Sequence, residues 1–527
     1  MSAAKELIFE EEARAKLQAG IQKLAEASAV TLGPKGRYVG LEKSWGPPQV
    51  TSDGQTIVSQ LDLPDPYEDM GAKIGREAAA KVKEIAGDGT TTTILLLRAL
   101  VDGGIKNIAA GASPIGLKRG MEKGLTAILE ALKKQATPVK SSLDRQAIAT
   151  ISASGDTAIG KRIADAIDRV GEKGAVTIEE GKTLETELEV VEGMRFDRGY
   201  LSAHFINDPE TLSVVLERPA ILIADQKIAS IQEILPLLQE ISLSGRPLLI
   251  IAEDVEGSCL ATLVINKLRG SLNVCAVRAP AFGDRRSEIL ADIATLVAGK
   301  CFSEKVGDKL TEAAGPLLGS CDRVIVTKDT TTIVGGAGTA KQIATRVAQI
   351  DHEIGVATGD YEKKQLEERK ARLQGGVAVI RVGGATEPEM KETKQRMEDS
   401  LRATRAAMEE GIVTGGGVAL LKAAAAVKAL SLEGDEAVGA KLVAAACQAP
   451  VRQLAANSGL DGSVILGEMA KLGGEAGLNV EAGVVEDLQE AQVVDAAKVP
   501  VAALTHAVSS AGILLLSEVL ISDAPEE

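Results

Sequence analysis

The stretch "AGDGTTTTILLL" at residues 86–97 sets Asp88 between two glycines and runs four threonines into an aliphatic block. Glycines let the backbone turn sharply and approach another group closely. Asp88 and Thr90–Thr93 offer a carboxylate, hydroxyls and backbone N–H groups, a set suited to a phosphate with its magnesium. If the aliphatics form a helix, its N-terminus points free N–H groups at the anion. The same residues also serve a threonine-capped helix after a glycine turn, so the stretch alone leaves both readings open. "TKDTTTIV" at 327–334 repeats the threonines without Gly-Asp-Gly, on flanks that alternate like a strand, so threonines alone carry no message.

Other candidates are weaker. "GASPIGLK" at 111–118 misses the P-loop spacing, and "GGAGTAKQ" at 335–342 lacks the third glycine of a dinucleotide fingerprint. "VTGGGVALLKAAAAV" at 413–427 is a triple-glycine loop feeding a helix, a further candidate anion contact. Asp399 lies on a helical pattern whose apolar stripe includes Met397, Leu401 and Met408 and points away from that stripe. It is either solvated or, if its helix lies over a bound phosphate, placed to orient an attacking water.

The elements that must position these residues follow from periodicity. Ala13, Leu17, Ile21 and Leu24 recur at helical spacing before a break at Leu32-Gly33-Pro34. "PPQVTSDGQTIV" predicts a hairpin turning at Asp53-Gly54. Helical patterns then dominate to about residue 134, with Pro138 as a joint. From about 192 the texture changes: "AILIA", "PLLIIA" and "NVCAVRAP" read as strands, separated by helical patterns at about 228–242 and 257–268. That βαβαβ rhythm predicts an α/β unit with parallel pairing. The 228–242 pattern carries two apolar stripes, wider than a surface helix needs, and predicts either deep burial or a sticky patch extended by Leu260, Val264 and Ile265. A charged helix closes this region at Gly375-Gly376, and Ala-rich helices return after about 386. The fold class is therefore α/β multidomain, with the middle nested between helical outer parts.

Composition narrows the function. Aromatics make up only 2% of the 527 residues, so the core must be built from Ala, Val, Ile and Leu. A net charge of −15 argues against nucleic acid as a partner. Five cysteines without a CxxC, and three scattered histidines, argue against zinc and for a reducing, cytoplasmic setting. The acidic start does not resemble a targeting peptide, and no run of about 18 apolar residues predicts a membrane span.

These motifs fall into one order: "TLGPKGR" at 31–37, "SDG" at 52–54, "AGDGTTT" at 86–92, "VEGMRFDRGYLS" at 191–202, "LLIIAEDVEGSCLATLV" at 248–264, "FGDRR" at 282–286 and "TRAAMEEGIVTGGGVAL" at 404–420. In that order the chain resembles a group I chaperonin of the GroEL type over nearly its whole length. The resemblance implies an ATP-driven folding chamber of two stacked seven-membered rings, working with a small co-chaperonin on non-native polypeptides. It implies a mainly helical equatorial ATP-binding domain (1–134 and 410–527), a small intermediate hinge domain (135–191 and 377–409) and an α/β apical domain (192–376). Thr31, Leu32, Gly33 and Pro34 would contact the nucleotide, and Asp88, Gly89, Thr90, Thr91 and Thr92 would cradle phosphates, Asp88 also binding Mg²⁺. Gly416, Asn479, Val480 and Asp495 would hold the nucleoside end. Asp399 would position the hydrolytic water with Asp53 assisting, and K⁺ would accompany the phosphates. Tyr200, Phe205, Leu235, Leu238, Leu260, Val264 and Ile265 would form the groove for substrate and co-chaperonin, and Glu253, Asp254, Glu256, Asp360 and Glu362 an acidic cavity wall.

Departures from the family pattern bear on the chemistry. Ser52 stands where a lysine usually lies near the phosphates, and His204 and Ala203 replace a tyrosine and a proline beside the groove. Lys364 stands at one acidic cavity position. The chain ends "ISDAPEE", without Gly-Gly-Met repeats, while Arg452 and Asp461 keep an opposite-charge pair where rings meet. The alternative to an active ATPase is a paralogue that holds chains or scaffolds assemblies with little cycling.

Overall fold

The computed structural model describes residues 5–43, 48–171, 174–181, 183–209, 211–357 and 359–523, so the "APEE" tail lies outside the described residues. The chain forms two compact units, one from residues 1–164 and 386–527, the other from 165–385.

The first unit is mainly helical. Its helix Glu10–Ala29 buries Ala13, Leu17, Ile21 and Leu24, the predicted stripe, and ends before Leu32-Gly33-Pro34. It packs on the helix Pro66–Ala86, which Asp65 caps by accepting from the Tyr67 and Glu68 amides, with Pro66 in the first turn. The two backbones touch at Gly20 and Gly71. A Cβ at Gly20 would stand 1.8 Å from the Glu68 carbonyl oxygen, and one at Gly71 would stand 2.3 Å from that of Leu17. That notch fixes the second helix, whose far end carries the candidate site.

Helices Thr90–Ala109, Pro114–Gln135, Gly434–Ala446 and Lys498–Leu516 complete a core of Leu, Ile, Val and Ala, as the low aromatic content requires. The helix Lys498–Leu516 is long and apolar enough to cross a membrane by composition, contrary to the expectation that no such run exists. It uses that apolarity in packing, with Leu504, Ala507, Ala511 and Leu515 buried in the core. The strand Lys5–Phe9 pairs antiparallel with Val519–Asp523, zipping the two ends of this unit together.

The predicted hairpin at Asp53-Gly54 does not form. Strands Val39–Leu41 and Gln49–Thr51 pair antiparallel, and Asp53 instead caps the helix Gly54–Ser59. Aspartate before glycine serves either geometry, because its carboxylate accepts backbone N–H groups in both.

The second unit holds the expected α/β pattern. Strands Ala220–Ile228, Leu248–Val255 and Val274–Arg278 lie parallel and adjacent, linked through helices Leu235–Ser244 and Gly257–Leu268. Their near-continuous burial is that of strands covered on both faces. The sheet continues antiparallel through Gly319–Val326, Thr331–Gly336 and Gly193–Phe196. The threonine run at 330–332 lies at the turn and start of this hairpin. A second sheet sets Ala175–Glu180 parallel to Val377–Val382 and Glu187–Val191 antiparallel to it. The predicted helix over 228–242 begins only at Leu235. Ile228 ends a strand, and a short 3₁₀ turn at Ile231–Glu233 intervenes. An apolar run through strand, turn and helix reads as one helical pattern because buried strands lack alternation.

Candidate functional site

The Gly-Asp-Gly link is a pair of left-handed residues between two long helices. Gly87, at φ 76°, ends Pro66–Ala86; Gly89, at φ 97°, begins Thr90–Ala109. Both need to be glycine for space as well. A Cβ on Gly87 would meet the Arg402 Cβ at 2.4 Å, and one on Gly89 would meet a Val499 methyl at 2.8 Å. Gly54 brings a third segment in, because a Cβ there would stand 2.4 Å from the Thr91 hydroxyl. The Thr93 hydroxyl donates to the Gly89 carbonyl at 2.7 Å, while the amides of Thr90, Thr91 and Thr92 fall in the first turn, where a helix offers no acceptors. Thr90 and Thr91 are buried and Thr92 half-buried.

Above this turn three polar side chains meet. Lys83 Nζ lies 3.2 and 3.4 Å from the Asp53 carboxylate oxygens and donates to Asp399 at 3.3 Å. Asp399 also accepts from Gln395 at 3.2 Å and from Arg402 at 2.6 Å, both on its own helix Glu387–Glu410. It is thus not a solvated surface aspartate; its side chain is only 16% exposed. Asp53 accepts from the Thr56 amide at 2.8 Å and its hydroxyl at 2.6 Å. Burial alone would raise the Asp53 pKa, but the Lys83 charge and the Thr56 donors outweigh it and hold the carboxyl below its ordinary value.

Asp88 behaves oppositely. The surrounding protein pushes its pKa up, aided by the charges of Asp399 and Asp53, against the Gly89 amide at 2.6 Å and Lys83. Its surface stays open to solvent, which limits the size of that shift. Asp495, in the strand Val494–Ala496, is raised to about 7 by burial and then by the Asp88 charge. Among the described residues no group of three His, Cys, Asp or Glu side chains is set to hold a metal unaided. Asp88, with one backbone donor and free oxygen positions, fits a magnesium ion that shares its shell with phosphate oxygens.

The remaining predicted contacts lie around one small apolar cluster. Leu32 packs against the cluster that includes Val418, Leu454, Val480 and Leu488, and Gly33 abuts Leu454. Thr31 donates to the Ser28 carbonyl at 2.8 Å, and Asn457 ties down the Ala29 and Leu32 carbonyls at 2.9 Å each. Pro34 follows at the edge of this loop, half-way along the turn that Gly36 closes onto Gly33. Gly416, at φ 60°, packs on Leu488, and its neighbour Gly415 lies against Asp495, whose carboxyl feels the Asp88 charge. The Asn479 side chain is already engaged, donating to Glu486 at 2.7 Å and accepting from the Glu481 and Ala482 amides. Ser52 immediately precedes Asp53 and is half-buried.

Sequence reasoning did not single out Lys83, Arg402 or Gln395. A signal existed for two of them: Gln395 and Arg402 stand four before and three after Asp399, on the same helix face.

The second unit carries a surface of another kind. Leu235 is 43% and Ile265 47% exposed, and Leu260 and Val264 are half-buried against the core. Phe205 and Leu238, expected in the same groove, are buried in the core, and Tyr200 is half-buried against it. His204 and Ala203 are exposed beside Phe205. Three acids expected on a cavity wall are paired: Glu253 with Arg286 at 2.9 Å, Asp254 with Arg278 at 2.5 Å and Glu256 with Lys227 at 2.9 Å.

A tight Gly-Asp-Gly turn beside gathered carboxylates in a helical unit, and partly exposed apolar helices in an α/β unit, are the features that the whole-chain comparison places in one class, the chaperonins. Residues 24–525 match the TCP-1/cpn60 chaperonin family, to which the chain belongs. The chain is 55% identical to "Chaperonin GroEL 3" of Protochlamydia amoebophila over 527 residues, covering 100% of this chain and 99% of that protein. Within the family it is a group I, GroEL-type chaperonin with a protein-folding function. Its family binds ATP, forms oligomeric rings and acts on substrate polypeptides.

Proposed function

We propose that this chain is an ATPase that captures non-native polypeptides on exposed apolar surface and encloses them under a co-chaperonin lid. The observation that carries this reading is the meeting of Asp53, Lys83 and Asp399 over the Gly87-Asp88-Gly89 turn, in a chaperonin chain. The Thr90–Thr92 amides bind phosphate oxygens; Asp88 would hold a magnesium ion, which would supply positive charge to them, and K⁺ would accompany the phosphates. Gly416, Val480 and Asp495, with the Thr31–Pro34 loop, hold the nucleoside end. Water adds to the terminal phosphorus, the bond to the bridging oxygen breaks, and the proton passes to the Asp399 carboxylate, with Asp53 assisting.

The subunit divides into equatorial (1–134, 410–527), intermediate (135–191, 377–409) and apical (192–376) domains, assembled as two stacked rings of seven in the cytoplasm. Apolar Leu235, Leu260, Val264 and Ile265 hold chains that expose what native proteins bury. Nucleotide shifts the ring by binding one conformation better than another. The test is refolding of an aggregation-prone protein by the purified particle. Recovery that needs both ATP and a co-chaperonin is expected; equal recovery without ATP would overturn the reading and favour a holding paralogue.

A further inference from the structure

Lys83 lies in the last turn of Pro66–Ala86, and its side chain is 16% exposed. Its ammonium is shared at 3.2–3.4 Å by Asp53 and Asp399, longer than the roughly 2.7–2.9 Å of a committed charge-assisted bond. A lysine ammonium is a compact charge with three rotatable donors on a flexible stem, so it can exchange one acceptor for another without moving the backbone. Its charge also reaches Asp88.

The cleft otherwise gathers negative charge. Asp53, Asp88, Asp399 and Asp495 all act on the same space, through Asp88. A triphosphate entering it would be repelled unless cations on the chain oppose those carboxylates. Among the described residues two cations touch Asp399: Arg402 has a side chain 43% exposed, whereas Lys83 is the inner one and of the two is the one that also touches Asp53. Ser52, next to Asp53, brings no charge.

We infer that Lys83 is the phosphate-site cation of this protein, taking the part that a lysine at 52 would play. With nucleotide absent it bridges Asp53 and Asp399; with a triphosphate bound it turns one donor onto the terminal phosphate. This rests on the ATP-site reading above.

The test uses the full-length assembled protein, with turnover and binding of ATP, ADP and a non-hydrolysable ATP analogue. Lys83→Gln is expected to lower turnover at least tenfold and to weaken the analogue at least tenfold, while ADP changes less than threefold. A purely structural lysine would move both nucleotides together. Adding Ser52→Lys to Lys83→Gln is expected to recover at least threefold of the lost turnover. Ser52→Lys alone is expected to change turnover less than threefold, because the position is already served. Turnover within threefold of wild type in Lys83→Gln, or no recovery in the double variant, overturns the inference. So does a rise above threefold in Ser52→Lys, which decides the matter even if Lys83→Gln does not assemble. If Asp399→Ala keeps normal turnover, the ATP-site reading itself fails; if Asp399→Ala is inactive and Lys83→Gln is not, only Lys83 is misassigned.

Discussion

In the first unit, Lys83 is held within 3.4 Å of two carboxylates, and the glycines at 54, 87 and 89 stand where a methyl group would collide. In the second unit, Leu235 and Ile265 leave nearly half of their surfaces open on neighbouring helices. The first arrangement discriminates by position: a displaced charge changes the field at one point. The second discriminates by area alone, and any chain that offers apolar surface satisfies it. A protein that must bind one nucleotide and many polypeptides needs both kinds of site, on separate units.

That contrast can be broken from either side. The largest effect is expected from Asp399→Ala, which should lower ATP turnover by about 100-fold or more while capture of an unfolded protein, measured by light scattering, stays within twofold. The converse variant, Leu235→Ser with Ile265→Ser, should weaken capture about tenfold and leave turnover within twofold. If either variant damages both activities, the division of labour is wrong.

The smallest effect concerns Asp495. Its carboxyl is raised to about 7 in the folded chain, against roughly 3.9 when unfolded. Between those values the folded form holds a proton that the unfolded form has lost, so this group's contribution to stability falls as pH rises from about 4 to 7. Asp495→Asn cannot lose that proton. Without nucleotide, its melting temperature relative to wild type should therefore climb from pH 5 to pH 8; a constant difference would show that Asp495 titrates normally.

How much of this was legible in the sequence depended on whether the signal was local. The Gly87-Asp88-Gly89 turn and its threonines are contiguous, so the turn and the helix that follows it show in one stretch, while capping and anion contact both stay open there. The parallel strands of the second unit were legible because continuous apolar runs alternated with helical patterns. Asp53 was misread as a hairpin corner because a carboxylate before glycine caps a helix as readily as it closes a turn. Lys83 was invisible: in "KVKEIA" it looks like any solvated helix lysine, and its importance comes from Asp399, which is 316 positions away. For the 228–242 pattern periodicity offered burial and exposure alike, and it could not say that Leu238 is buried while Leu235 meets solvent.

The ladder between Lys5–Phe9 and Val519–Asp523 has a consequence for synthesis. A ribosome extends the chain at about 5–20 residues per second and releases it from the N-terminus onward. The segment 165–385 is continuous and has all its strands in hand well before translation ends. The helical unit does not, because its first strand must wait for a partner made among the last residues. The Gly87-Asp88-Gly89 turn and the carboxylates around it are therefore packed last, and a growing chain already carries the half-open Leu235 and Ile265 before that cluster is complete.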